Sequence, residues 1–534
     1  IDLPIGIKIL KGITLIAKGV DRNRLKRYIQ FFESQKNYNK LFEKLNNKQF
    51  HQLMRKYPDV KNALIYEKEL KITVEREKAL FSAWYEMFPR SCGEGEKHGT
   101  FNDCINLLPD IAKMGFDVLY FPPIHPIGKA NRKGRNNSLP AKDDDPGSPW
   151  AIGSELGGHK SIEPKLGTIN DFKKLLKEAA KLNMEIALDI AFQCSPDHPY
   201  IKSHPQWFRF LPDGSIQYAE NPPKKYEDIV SFDFDSSHRK ELWEELKAVF
   251  QFWIDIGVKI FRVDNPHTKP FMFWDWVIEE LKKYNPDVIF LSEAFTRPYR
   301  MYRLAKGGFS QSYTYFIWRN SKQEFIDYIN ELTTTEISEF FRPNFWPNTP
   351  DILPIHLQYG GRPAFISRLI LAATLSSNYG IYGPAFELCV SESLPDKEEY
   401  YNSEKYEIKN WNRNKEGNLT DLIALVNKIR KQNPALHRTK NVKFCHIDND
   451  CLLSYYKTTD DLSNIIIVIV NIDPYHSHIG NIHVPINEFG IDNDQTYIVH
   501  DLLSGDRYPW KGTVNYIELN PARSPAHIFF IERE

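Results

Sequence analysis

Cysteine is scarce in this chain. Its six residues (Cys92, Cys104, Cys194, Cys389, Cys445, Cys451) are scattered over 534 positions, and none forms a close CxxC pair. A disulfide framework is excluded as the organising device, and free thiols in a reducing, cytoplasmic compartment are expected. Excess charge of either sign is also missing, with Lys plus Arg and Asp plus Glu both at 69. No global field recruits nucleic acid or an anionic membrane, so any anion site must be built locally. The longest apolar run, Ile465 to Val470, falls far short of the roughly 20 residues that span a bilayer. Its β-branched content predicts a buried strand. The sequence opens on Ile1 rather than Met and has no charged-then-apolar leader, so the natural start is expected to lie outside it.

What is present suffices for two or three domains, at about 150 residues each. From Arg22 to Pro58 apolar residues recur at helical spacing with Lys and Arg between them, predicting two amphipathic helices. From Ala79 onward short β-rich runs alternate with helical stretches: ALFSAWYEMF, FDVLYFPPI, MEIALDIAF, VKIFRVD, DVIFLSEAF and SYTYFIW. That alternation predicts an α/β fold with a parallel sheet, and so many repeats favour a closed (β/α)₈ TIM barrel. Alternating strands and turns follow Gln432, predicting a separate C-terminal β-sandwich. The expected division is a helical segment at 1–76, a barrel at 77–431 with a long polar loop at 122–160, and the sandwich at 432–534. Trp150 and Ile152 in that loop argue against disorder.

Carboxylates fall at the ends of the predicted strands. Asp189 follows EIAL, Asp264 follows KIFRV and Glu293 follows VIFLS. In a barrel those ends share one rim, where active sites are assembled. A strand-end acid can equally cap a helix or pair with Arg262, so the neighbours decide. Arg262 lies two residues before Asp264, on the same side of an extended strand, where a cation keeps a carboxylate ionised. Glu293 sits among Phe290, Leu291, Ala294 and Phe295, surroundings that favour a retained proton. One ionised and one protonated carboxyl are what retaining glycoside chemistry requires.

The segments FRVDNPHTKP, FLSEAF and NFWPNTPDIL resemble the strand-end motifs of the α-amylase superfamily. The resemblance implies Asp264 as nucleophile, Glu293 as acid/base and Asp351 as transition-state stabiliser, with Arg262 beside them. Within that superfamily SAWYEMFPRS, PPIHPIG, RKGRNN, DPGSPWAIGSELGGH, LDIAFQCSPDHP and YAENPPKKYEDI are similar to the α-1,4-glucan:maltose-1-phosphate maltosyltransferases, over roughly Leu10 to the C-terminus. Ordinary amylases carry Asn-His after the third strand and Asn-His-Asp after the seventh, whereas this chain has Gln193-Cys194 and Asn348-Thr349-Pro350-Asp351.

Carried over by position, the resemblance implies donor contacts from Lys133, Gln193, Asp228, Asn265, Lys405 and Tyr406. Phosphate contacts are implied for Ser148, Asn221, Lys224 and Tyr226. A sugar phosphate brings about −1.5 to −2 charges, and RKGRNN and NPPKKY supply lysines for it, Lys133 being expected to set its ammonium against the phosphate. The implied reaction transfers maltosyl units from α-maltose 1-phosphate to the non-reducing end of an α-1,4-glucan, with retention and release of phosphate. An amylase-like hydrolase or 4-α-glucanotransferase, sharing the three acids but not the phosphate pocket, is the nearest alternative. A non-catalytic α-glucan-binding protein is the other. Neither cofactor nor metal is expected: Asp143, Asp144 and Asp145 lack the spacing of a calcium loop, and His198 and His267 that of a zinc site. The family's N-terminal β-sandwich, which contributes to dimerisation, has no counterpart in this sequence. A homodimer is implied for the full-length member and left open for this chain.

Overall fold

The computed structural model describes residues 2–532 except 59–62, 65, 68, 70–71, 96 and 222–223, and except the side chains of Asn221 and Lys224. The chain forms two compact units, 1–74 and 75–534.

In the first unit four helices, Asp2–Ile16, Gly19–Ser34, Tyr38–Leu45 and Lys48–Lys56, bury one face each around Leu10, Leu25, Phe32, Leu41 and Phe50. Where spacing predicts two helices between Arg22 and Pro58, the structure has three. The reason is local capping: Asn37 accepts from the Asn39 amide at 3.0 Å and Asn47 from the Gln49 amide at 2.8 Å. Each asparagine starts a new helix, and apolar periodicity alone reads through one of the two starts.

The second unit is built on eight parallel strands: β1 (Ser82–Glu86), β2 (Val118–Phe121), β3 (Glu185–Ile190), β4 (Ile260–Asp264), β5 (Ile289–Glu293), β6 (Gln311–Ser312), β7 (Asn344–Phe345) and β8 (Asn378–Tyr382). They pair in the order β7-β8-β1-β2-β3-β4-β5-β6, and a parallel bridge from Ser312 to Pro343 closes the ring. This is the (β/α)₈ barrel. Strand side chains alternate. Leu119, Phe121, Ile186, Leu188, Phe261, Val263 and Phe290 belong to the large core that includes the surrounding helices. Trp84, Val118, Tyr120, Ala187, Ile260, Ile289 and Leu291 form a separate interior cluster with Tyr313 and Trp346. Because the period is two, the inward columns continue upward as Trp84 to Glu86, Ala187 to Asp189, Ile260 through Arg262 to Asp264, and Leu291 to Glu293. The apolar interior thus ends in a layer of charge at the C-terminal rim.

Two additions shape that rim. The 122–160 loop is ordered, through an Ile127–Ile152 bridge and an Arg132 guanidinium that donates to the carbonyls of Gly128, Ile127 and Asp145. Gln193–Cys194, Tyr218–Asn221 and Lys224–Ser231 form a small antiparallel sheet after β3. The C-terminal β-sandwich sets a six-stranded against a three-stranded antiparallel sheet. Helix Gly361–Leu375, buried along nearly its whole length, joins it to the barrel: Ser367 Oγ donates to the Asn471 carbonyl at 2.9 Å, and Lys457 Nζ to the Thr374 carbonyl at 3.1 Å.

The interior leaves no spare volume at Gly380 in β8, where a Cβ would lie 2.3 Å from Cζ2 of Trp346. Trp346 is itself stacked on Tyr313 at 5.0 Å. Gly380→Ala should therefore destabilise the barrel by about 1–3 kcal/mol, the usual cost of overpacking. Thermal denaturation checks this, and an unchanged midpoint would show that Trp346 yields freely.

Candidate active site

Asp264 and Glu293 end neighbouring strands and are direct partners in register. One side chain organises them. Arg262, 4% exposed, places Nη1 2.8 Å from Asp189 Oδ2 and 2.9 Å from Asp264 Oδ1, and Nη2 3.4 Å from Glu293 Oε2. Asp189 is held from two further directions, by the Tyr120 hydroxyl at 2.5 Å and by Trp150 Nε1 of the ordered loop at 3.2 Å. Burial pushes the Glu293 carboxyl up to about 8, against the opposing pull of Arg262. A carboxyl raised in this way favours its protonated form at neutral pH.

The turn after β4 serves both acids. Asn265 adopts a left-handed conformation (φ 43°, ψ 51°) that asparagine tolerates better than most residues. Its backbone amide donates to Glu293 Oε2 at 3.1 Å, and its side-chain amide to Asp264 Oδ2 at 3.4 Å. The Asn265 carbonyl in turn accepts from Thr268 Oγ1 at 2.8 Å and Lys269 Nζ at 3.3 Å.

Asp351 follows β7 and meets Lys405, whose Nζ donates to Oδ1 at 2.6 Å and stands 5.0 Å above the Trp150 ring. Burial opposes the Lys405 charge, but Asp351 outweighs it and the ammonium is held well above its ordinary range. Tyr406 adjoins, and Asp351, Lys405, Tyr406 and Tyr226 line one small pocket. Asp351 and Lys133 also border a cavity of about 690 Å³. Lys133 is buried and bound to Glu227 at 2.5 Å, so its charge is already balanced by a carboxylate. Asp228 is buried beside that pair, and burial raises its carboxyl. Gln193 is half-buried with Nε2 3.4 Å from the Trp150 carbonyl, and buried Ser148 accepts from the Trp150 amide at 3.4 Å. The side chains of Asn221 and Lys224 lie outside the described residues.

Other rim residues were not singled out by sequence. Glu86 ends β1, beside Tyr120 and Tyr382 in register, and the strand-end rule applied to SAWYE would have found it. Fully buried, it is pushed well above the usual carboxylate range by desolvation, and its Oε2 has no partner among the described residues. Arg90 donates to the carbonyls of Gly147, Glu404 and Lys405, at 2.8 to 3.0 Å. Only the fold reveals that link. Among the residues read as bystanders, Asp145 accepts from the Lys142 amide at 2.7 Å as part of a turn. His198 bonds to His159 at 3.1 Å, and burial pushes His267 down to about 4.

The family profile described as GLGE, C-terminal, matches residues 444–531. An α-1,4-glucan:maltose-1-phosphate maltosyltransferase of Methylacidiphilum infernorum is 53% identical over 539 residues, covering 100% of this chain and 81% of the relative. The enzyme of the same name from Chlorobaculum tepidum is 52% identical, covering 99% of this chain and 80% of its own length. Among solved structures, the maltogenic α-amylase AmyB of Thermotoga neapolitana aligns with a TM-score of 0.66 at 21% identity, over 86% of this chain and 100% of that one. The α-amylase of Geobacillus thermoleovorans aligns at 0.65 and 15% identity, over 86% and 100%. These two likenesses bear on fold alone. With identity above one half across nearly its whole length and the strand-end acids in place, the chain belongs to the α-1,4-glucan:maltose-1-phosphate maltosyltransferase family.

Proposed function

We propose that Asp264, Glu293 and Asp351 carry out maltosyl transfer from α-maltose 1-phosphate to the non-reducing end of an α-1,4-glucan by double displacement. The observation that carries this reading is the register pairing of Asp264 with Glu293 around a single guanidinium. Both carboxyls lie within 3.4 Å of that one guanidinium, which fits the close carboxyl pair of a retaining enzyme. An inverting pair would need room for a water between them. Asp264 attacks the anomeric carbon as phosphate leaves with assistance from the Glu293 proton, giving a β-maltosyl-enzyme. Glu293, now a base, takes the proton of the acceptor 4-hydroxyl, and the second inversion restores the α-configuration. Asp351, oriented by Lys405, faces the oxocarbenium-like charge that develops in both steps.

The donor's sugar hydroxyls are assigned to Lys133, Gln193, Asp228, Asn265, Lys405 and Tyr406, and its phosphate to Ser148, Tyr226, Asn221 and Lys224. The six free cysteines support a cytoplasmic location. Incubation with α-maltose 1-phosphate and a malto-oligosaccharide, following phosphate and chain length together, tests the reaction. Glucan lengthening without phosphate release would favour a glucan-to-glucan transferase.

Asp264→Ala should abolish transfer while leaving the fold intact. Glu293→Ala should turn over slowly and accumulate a maltosyl-enzyme, since phosphate needs less protonation than an alkoxide. Mass spectrometry reads the adduct, and its absence with every activated donor, α-maltosyl fluoride included, would remove Glu293 from the acid/base role.

The pH profile follows from the same side chain. Glu293 is protonated below about 8, so kcat/KM with the phosphate donor should fall as pH rises through that value. The alkaline limb should vanish in Glu293→Ala, and a limb that persisted there would belong to another group.

The Lys133–Glu227 pair changes what is expected of Lys133. An ammonium neutralised by Glu227 offers hydrogen bonds to sugar rather than free charge to phosphate. Lys133→Ala should lower efficiency by about ten- to a hundredfold, for the loss of a charge-assisted contact of roughly 1.5–3 kcal/mol. The loss should be similar with α-maltose 1-phosphate and α-maltosyl fluoride. A loss confined to the phosphate donor would mean that Lys133 leaves Glu227 and reads the phosphate.

A further inference from the structure

We propose that Cys451, Asp473, His476 and His478 form a structural binding site for a zinc-class divalent cation on the β-sandwich, remote in sequence from the carboxylate site. Cys451, Asp473 and His478 each present a ligand atom, all three within 4.8 Å of one another. The fold makes this meeting from positions that sequence spacing leaves unrelated. Leu452 pairs with Asn471 across two antiparallel strands, and the Ile472 amide donates to the Cys451 carbonyl at 2.9 Å, so Cys451 lies beside the turn that begins at Asp473.

Asp473 divides its two oxygens. Oδ1 accepts the Tyr475 amide at 2.8 Å and fixes the turn. Oδ2 faces two imidazoles, with His478 Nε2 at 2.9 Å and His476 Nδ1 at 3.0 Å. One thiol, one carboxylate and two imidazoles are the ligand types of tetrahedral zinc, while calcium and magnesium take oxygen donors instead. Ligands of a tetrahedral ion with bonds of about 2.0–2.3 Å lie roughly 3.3–3.8 Å apart. The three grouped ligand atoms, within 4.8 Å of one another, must draw about 1 Å closer to reach this. Binding releases the thiol proton to solvent, and each neutral imidazole keeps one N–H on the nitrogen that faces away from the ion.

Access is present, because Cys451 and Asp473 line a cavity of about 550 Å³ whose other wall includes Ser321 and Lys322 of the barrel. Lys322 is committed to the carbonyls of Ile447 and Asn449, at 2.8 and 3.1 Å. A second grouping, His159, Cys194 and His198, is different in kind. There the two rings bond to each other, and their outer nitrogens end on the Ala191 carbonyl and the Tyr200 amide, leaving no imidazole lone pair for an ion. At the sandwich site the imidazole nitrogens converge on a carboxylate, and Cys451 contributes its side chain to none of the hydrogen bonds that hold the turn.

That last point supplies the test. The reduced full chain is titrated with Co²⁺, read by its thiolate charge-transfer band, and with Zn²⁺, read by elemental analysis after dialysis and by thermal midpoint. One ion per chain, a thiolate band, and a rise in midpoint reversed by chelator are expected. Cys451→Ser should remove the band and the rise, and His478→Ala should weaken binding by about tenfold or more. If the four side chains are only a hydrogen-bonded turn, no stoichiometric ion will be found. A band that survives in Cys451→Ser would belong to another cysteine. Either result overturns the site.

Discussion

The buried guanidinium of Arg262 is the constraint on which the active rim depends. It touches Asp189, Asp264 and Glu293 within 3.4 Å, and its flat, forked shape lets it do so from one position. Three carboxyls drawn together at the mouth of an apolar barrel would repel one another without it. Removing one partner of a buried ion pair costs about 3–5 kcal/mol, because a charge is left uncompensated. The interior cluster below, from Trp84 to Trp346, is apolar. Arg262 therefore fixes the arrangement of all three acids. It holds Asp264 in place while burial favours the proton on Glu293.

Much of this was legible in the residues. Period-two alternation in KIFRVD and VIFLSE is enough to put Arg262, Asp264 and Glu293 on one side of their strands, and the repeating strand and helix pattern is enough to suggest the barrel. The sandwich is equally visible in the runs after Gln432. What was hidden has a common physical character. The helix starts at Asn37 and Asn47 are capping events lasting one residue, and a periodicity that averages over a turn resolves only one of the two breaks. The small sheet around Lys224–Ser231 depends on pairing of Gln193 with Ser231 and Cys194 with Val230, across a long stretch of sequence.

The candidate site shows the same division. Asp351 and Lys405 are separated by more than fifty positions, and only the closed barrel brings them to 2.6 Å. Glu227 is the sharper case. In sequence it is one more acid in KKYEDI, and in space it is the partner that takes up the charge of Lys133. A motif can mark a residue as important, but the counter-charge that limits its reach is a property of the fold.

Arg90 ties Gly147 of the long loop to Glu404 and Lys405, residues that would otherwise belong to a different part of the rim. Two walls of the pocket thus share one fastener, buried and with all its described bonds ending on backbone carbonyls. Such carbonyls are indifferent to the side chains that carry them, so substitutions within either wall can accumulate while the fastener holds. Exchange of a whole loop is another matter, since a segment of different length would strand the guanidinium. The pocket is therefore open to change by point substitution and closed to change by transplanting one loop. Lineages that reshape this rim would have to inherit both walls together.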